Sequence, residues 1–136
     1  LQAVQIGTEL NPLDVVVMAE LNGNTSSADG DIVLQNDVGD LTLGQILAGT
    51  GDVTLIAADD VLNVDANSLI VSDDLSITAG NALADGTYAI DLATNVDDLE
   101  ASVEGPSQGD IRVLEQDSIR LARTSLLLRG LSPRVL

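Results

Sequence analysis

Cysteine, histidine, lysine, tryptophan and phenylalanine are missing from this chain, and tyrosine and methionine occur once each. Without cysteine there is no disulfide and no thiolate metal site, and the redox compartment is left undetermined. The usual nucleophiles and near-neutral bases go with them, which leaves carboxylates and hydroxyls as the only groups for chemistry. Positive charge is also scarce. Five arginines stand against 22 Asp and Glu, a net charge of −17, and nucleic acid or anionic lipid would be repelled because phosphate contacts need Lys and Arg. No run of about 18 apolar residues is present, so no membrane span is expected. The chain opens on Leu1 without a basic-then-apolar leader, as expected of a processed chain or a piece of a longer polypeptide.

What is present is aliphatic. Hydrophobic residues make up 45% of the 136, nearly all of them Val, Ile, Leu and Ala, enough to offset chain entropy and argue against disorder despite the charge. The length suits one domain or a slice of a repeat array. Residues 1–29 read as two strands, Val4–Ile6 and Val15–Met18, around an Asn11-Pro12 turn. A polar loop from Asn22 to Gly30 follows, and the segment as a whole suits an earlier coil or a cap. Asn24-Thr25-Ser26 fits a glycosylation acceptor pattern, which in so polar a loop is expected to be a chance match.

Over residues 30–121, apolar-x-apolar triplets begin at Ile32, Leu41, Val53, Leu62, Leu69, Leu75, Ile90, Leu99, Ile111 and Ile119. Ile32 to Val53, Leu41 to Leu62, Leu69 to Ile90 and Ile90 to Ile111 are each 21 residues apart, and Val53 to Leu75 is 22. Three interleaved series with one period predict a parallel β-helix, a solenoid of about 21-residue coils with three short strands each. The first face takes Ile32, Val53, Leu75, Leu99 and Ile119, and the second takes Leu41, Leu62 and Leu83. The third takes Leu69, Ile90 and Ile111, with Ile46-Leu47 as an imperfect first member. First and third residues of a triplet should point inward and the middle one outward, placing Thr42, Thr54, Asn63, Ser76, Asp91, Arg112 and Arg120 outside, with Val33 and Ile70 as exceptions. The 24-residue step from Leu75 to Leu99 implies an insertion, expected at Asn95–Asp98, and in the last coil only Val103 is on offer for the second face. Gly, Asp and Asn cluster where corners are needed, as at Gly49-Thr50-Gly51-Asp52, Asp73-Asp74 and Gly109-Asp110. The competing architecture is an antiparallel β-sandwich, which shares the turn spacing but predicts no fixed repeat and wants an aromatic core. Residues 122–136, basic and apolar, read as a cap or a non-native end.

The acidic doublets Asp59-Asp60, Asp73-Asp74 and Asp97-Asp98 are the only metal candidates. They lack an EF-hand loop and the Gly-Gly-x-Gly-x-Asp repeat of calcium-loaded β-rolls, so solvated turns with weak surface Ca²⁺ binding are expected. Paired carboxylates also serve glycosidases and lyases. Lyases on this scaffold want Lys or Arg, which residues 1–111 lack, and there is no aromatic platform for a sugar. Outward threonines raise the idea of an ice-binding ladder, but Thr42 and Thr54 fall on different faces. No catalytic, cofactor-binding or metal residue is assigned, and no enzyme activity or cofactor is expected.

Gly51–Leu62, Asp74–Gly80, Thr94–Leu99 and Gly109–Val113 resemble the repeats of very large bacterial surface proteins, the filamentous-haemagglutinin-like and autotransporter-type adhesins. The resemblance is one of style and covers roughly residues 30 to 121. It implies a right-handed β-helix exported to the surface of a Gram-negative-type bacterium as a stalk or adhesive filament. Expected partners are then neighbouring coils of a longer polypeptide and a host-cell or matrix receptor or glycan, met by loops such as Asn22 to Gly30.

Overall fold

A Val, Ile or Leu at each inward position of a 20-odd-residue coil has one way to be covered on both sides: by its equivalents in the coils before and after. The computed structural model, which describes residues 1–80, 88–105 and 109–126, shows that arrangement. Among the described residues the strands are β1 (Leu13–Asp14), β2 (Leu21–Asn24), β3 (Ile32–Asn36), β4 (Leu41–Leu47), β5 (Val53–Ala57), β6 (Val61–Asn63), β7 (Leu69–Ala79), β8 (Tyr88–Val103), β9 (Asp110–Glu115) and β10 (Arg120–Leu126). All their pairings are parallel. The chain is therefore a parallel β-helix, and the antiparallel sandwich is ruled out.

Three faces run along the axis. The first stacks β1, β3, β5, the second half of β7, the second half of β8, and β10. The second stacks the start of β2, then β4, β6, β8 and β9. The third stacks the ends of β2 and β4, the start of β7 and the middle of β8. On the first face the inward column Ile32, Val53, Leu75, Leu99 is fully covered, and so is the neighbouring column Leu34, Leu55, Ile77, Ala101. Burying each such Val, Leu or Ile side chain contributes roughly 1.5–3 kcal/mol. A third column begins with Asn36, buried yet satisfied: its amide donates to the Asp40 carbonyl at 2.7 Å and its oxygen accepts the Val38 N–H at 3.1 Å. One polar side chain thereby closes a corner from inside. The lone Tyr88 stays out of the core, with the Arg112 guanidinium 4.5 Å from its ring centre.

The first-face series holds as far as Leu99, with steps of 21, 22 and 24 residues. Its next member is Leu121, not Ile119, because Leu121 pairs with Leu99. The other two series need correction. Val61, not Leu62, lies on Leu41, so Leu62 is an outer residue above Thr42, and Asn63 falls in the inward column behind Leu43. Ile90 and Ile111 continue that second face from Val61 and do not follow Leu69. On the third face it is Ile70 that is buried, on Ile46, while Leu69 pairs with Gln45. Val103 belongs to the first face, on Ala79. The predicted Leu83 lies outside the described residues. Val33 does point outward, but it is buried beneath the N-terminal segment and takes no part in the core cluster.

Nor is there an insertion at Asn95–Asp98, where Asn95, Val96 and Asp98 pair in one register with Val71, Ser72 and Asp74. The extra length falls between Ala79, paired with Ala57, and Ile90, paired with Val61. It is partly offset afterwards, because β8 runs straight from Ile90 to Thr94 where the coil before it makes the Asp65–Ser68 loop. A gain at one corner and a loss at the next left a net step of 24, which the sequence alone assigned to the wrong bend.

The coil begins before residue 30 and ends after 121. Leu13–Asp14 and Leu21–Asn24 form a preceding coil, and the backbone of β10 continues pairing with β8 through Leu126. Among the described residues no helix is long and apolar enough to cross a membrane.

The register yields a direct test. Val61→Lys puts a charge into a closed core and should cost at least about 3 kcal/mol, whereas Leu62→Lys, one residue on, should cost less than about 1 kcal/mol. Urea unfolding followed by circular dichroism reads both; equal losses would contradict the second-face alignment.

Candidate functional site

Every bend in a parallel coil leaves backbone N–H groups without a strand partner, and buried or half-buried amides need an acceptor. Here the acceptor is repeatedly a carboxylate one coil earlier. Asp31 accepts the Asp52 N–H at 3.0 Å and Asp52 accepts the Asp74 N–H at 3.3 Å. Asp29 accepts the Thr50 N–H at 3.1 Å, and Asp40 accepts the Asp60 N–H at 3.2 Å. Asp31, Asp40 and Asp52, each just before a triplet, are thus rungs of an inter-coil ladder. Glycine fits the same bends: a Cβ on Gly51 would lie 2.7 Å from the Gly30 carbonyl, so the two chains approach there only without side chains.

On the first face these carboxylates form a row, Asp31, Asp52, Asp74 and Asp98, ending in Arg120, which pairs with Asp98 through a two-pronged contact. Beside the row lies a groove of about 430 Å³. Its floor is Val33, Ile56, Thr54 and Ser76, its acidic wall is Asp52, Asp74, Asp98 and Glu100, and Glu9 and Pro12 of the N-terminal segment form its rim. Asp52, Asp73 and Asp74 bring carboxylate oxygens within 4.8 Å of one another, all three exposed. Three exposed carboxylates suit a hard, oxygen-seeking cation held weakly and with most of its water retained.

The row is electrostatically uneven. Partial desolvation against the neighbouring coil, then the charges of Asp52, Asp98 and Asp73, raise the Asp74 carboxyl above its ordinary value, with Arg120 opposing. The hydrogen bond from Arg120 holds Asp98 below its ordinary value. A second carboxylate–guanidinium pair, Asp91 with Arg112, sits on the second face, with Arg112 Nε 2.7 Å from Asp91 Oδ1. At the lower end of the third face Glu115 accepts the hydroxyl of fully buried Thr94 at 2.6 Å and the Val96 N–H at 3.3 Å.

Of the three acidic doublets, only Asp73-Asp74 joins another carboxylate, Asp52, in a compact group. Asp98 is next in the row but taken up by Arg120, Asp97 lies by a shallow depression with Ser118 and Ile119, and Asp59-Asp60 occupies a different corner, above Gly39 and Asp40. Asp52 and Glu100, single acids in the sequence, complete the wall. Their signal was the coil spacing, which puts Asp52 one coil before Asp74. The Asn24-Thr25-Ser26 match is tied into the fold: Asn24 Oδ1 accepts from the Ser26 N–H at 3.0 Å and hydroxyl at 2.8 Å, and Thr25 is fully buried, its hydroxyl bonded to the Gly30 carbonyl.

No family model, curated protein or solved structure matches this chain.

The opposite shifts of Asp74 and Asp98 fix the sign of their pH effects. A carboxyl raised on folding binds its proton more tightly in the native state, so Asp74 costs stability as pH rises through its folded value. Asp98, lowered on folding, contributes stability above its unfolded value and loses it as pH falls through the folded one. Asp74→Asn should raise the melting temperature at pH 7 by about 1–2 °C, since exposed charges are screened, and make no difference at pH 3. Asp98→Asn should lower it at pH 7. Melting curves from pH 3 to 8 check this, and an Asp74→Asn protein less stable than the parent at pH 7 would refute the crowding of the row.

Proposed function

We propose that this chain is a non-catalytic shaft segment of an exported bacterial surface protein, structural or adhesive in role. The observation that carries the reading is the unbroken stacking of the first face, Ile32 on Val53 on Leu75 on Leu99 on Leu121, four coil steps with each inner side chain on the one before. A stack of coils whose outer charge is strongly of one sign gives length and solubility, and its loops and grooves remain for contact with a receptor or glycan. The corner carboxylates fit the same role, since they hold coil to coil and their exposed faces oppose lateral aggregation. The loop from Asn22 to Gly30 is less available for recognition than its polarity suggested, with Thr25 buried and Gly30 against the Val4 carbonyl.

A second reading is a polysaccharide-binding or polysaccharide-cleaving groove. The observation in its favour is the wall of Asp52, Asp74, Asp98 and Glu100 containing one carboxyl raised above its ordinary value, the pattern expected of an acid catalyst. Against it, the raised group is exposed, its shift follows from partial desolvation by the neighbouring coil and from like charges stacked at coil spacing, and the groove holds no aromatic side chain to stack on a sugar ring.

Protease added outside intact cells of the source bacterium, followed by immunoblotting for this segment, tests export: the segment should be degraded while cytoplasmic proteins are spared. Protection of the segment would contradict a surface role. Purified chain incubated with acidic and neutral polysaccharides should release no new reducing or unsaturated ends; release that Asp74→Asn abolishes would establish the groove reading in its place.

A further inference from the structure

The first coil departs from the others in the middle of a face. Ile6 lies on Ile32 and Leu13 on Leu34, so six residues, 7–12, stand where Val33 alone separates their partners in the next coil. The coil after that keeps the single residue, Thr54. The extra length leaves the stack as a hairpin closed by Thr8 and Asn11, whose backbone N–H groups each donate to the other's carbonyl at 3.0 Å. Gly7 makes the exit possible: its φ is +69°, and a Cβ there would lie 2.3 Å from the Val33 carbonyl oxygen. Residues on both sides of the hairpin pair with β3, so it is an insertion within the stack. Insertions in a solenoid gather on the face that makes contacts.

This hairpin overhangs the outer side of the first face. Glu9 and Pro12 rim the groove beside the carboxylate row, and Glu9 and Leu10 rim a second depression of about 400 Å³. The two adjoin, sharing Val33, Asp52 and Thr54, and make one trough. Along it run Asp31, Asp52, Asp74 and Asp98, three coil steps or about 14 Å from end to end. One seat on this row is filled, since Arg120 grips Asp98 with two prongs. Among the described residues no guanidinium pairs with Asp31, Asp52 or Asp74. Leu10, at the hairpin tip, is 99% exposed.

We propose that this trough docks an extended lysine- or arginine-bearing segment of a partner protein, its cations on Asp31, Asp52 and Asp74 and an aliphatic side chain against Leu10. Charge complementarity selects the occupant. Alternate side chains of an extended chain stand about 6.7 Å apart, so two or three of them span the row. Their aliphatic stems lie along Val33 and Ile56 while the charged heads reach the carboxylates, as Arg120 does at Asp98. An acidic glycan would be repelled by the same wall, and a neutral one finds no aromatic side chain to stack on. The inference rests on the adhesive reading and gives it a partner. Binding by the purified chain is measured apart from export, so either can fail alone.

The probe is a fluorescein-labelled ten-residue peptide with lysine at every second position, one leucine and otherwise serine. Its fluorescence anisotropy is followed on titration with the purified chain in 0.15 M salt, where charges beyond about 8 Å are largely screened. Saturable binding is expected. Asp52→Asn with Asp74→Asn should weaken it about tenfold, and asparagine keeps an oxygen for the inter-coil bond at Asp52. Leu10→Ser should weaken it about fivefold, and its full exposure keeps the test decisive should the double variant fail to fold. Asp37→Asn with Glu104→Gln removes the same charge at exposed positions outside the trough, and should change binding less than about twofold. A parent chain that does not bind, equal weakening by that control, or binding indifferent to Leu10→Ser overturns the inference.

Discussion

Leu55 lies between Leu34 and Ile77, one coil to either side, and the rest of the molecule depends on that stacking. A coil of 20-odd residues has too little interior to bury anything by itself; its inner side chains are covered only when the coils above and below present equivalents at the same height. Strand spacing of about 4.8 Å admits one aliphatic layer per coil. This explains why the interior is Val, Ile, Leu and Ala, and why the one tyrosine lies outside it against an arginine. It also accounts for the tolerance at the corners. The length between faces can grow at one bend and shrink at the next, as it does around β8, provided the inner columns realign.

The acidic surface follows from the same stacking. A carboxylate at a corner accepts an amide N–H from the next coil, so the position that holds the bend also places like charges a few ångströms apart along the axis. Hydrogen bonds offset the repulsion where the row continues, and Arg120 offsets it at the end. Asp74, partly desolvated by the next coil and with acidic neighbours on both sides, keeps its proton more readily than usual, whereas Asp98, with an arginine in reach, gives it up more readily. A raised carboxyl in a groove is ordinarily a hint of catalysis. In a solenoid it also arises from repetition.

Much of the architecture was legible in the chain, and the misreadings share a cause. The Ile32, Val53, Leu75, Leu99 column was plain because that face keeps nearly constant spacing and clean alternation. The second face was read one residue out because Leu62 and Val61 are both apolar, and a period of 21 favours Leu62 over the true spacing of 20 from Leu41 to Val61. Ile90 and Ile111 went to the wrong face because the extra length between Ala79 and Ile90 places Ile90 21 residues after Leu69, the expected coil step, although it lies one face short of a full coil. A count along the chain cannot tell a lengthened corner from a further face. Of the site, the acidic corners were legible and their use was not: that a carboxylate accepts an amide a coil away depends on three-dimensional height. Asp52 reads in the sequence only as a corner residue, and Glu100 and Glu115 belong to no motif that would single them out.

The central claim is the register, and the absence of native cysteine makes it measurable by cross-linking. Thr42 and Leu62 are aligned partners on adjacent outer strands, whereas a strict 21-residue period aligns Thr42 with Asn63. A disulfide needs Cα atoms about 4.4–6.8 Å apart and Cβ atoms facing each other. Under mild oxidation Thr42→Cys with Leu62→Cys should close an intramolecular disulfide that shifts the band on a non-reducing gel, and Thr42→Cys with Asn63→Cys should remain reduced. The reverse result, or cross-linking of neither pair in a protein with a β-sheet spectrum, would contradict the stacked coils described.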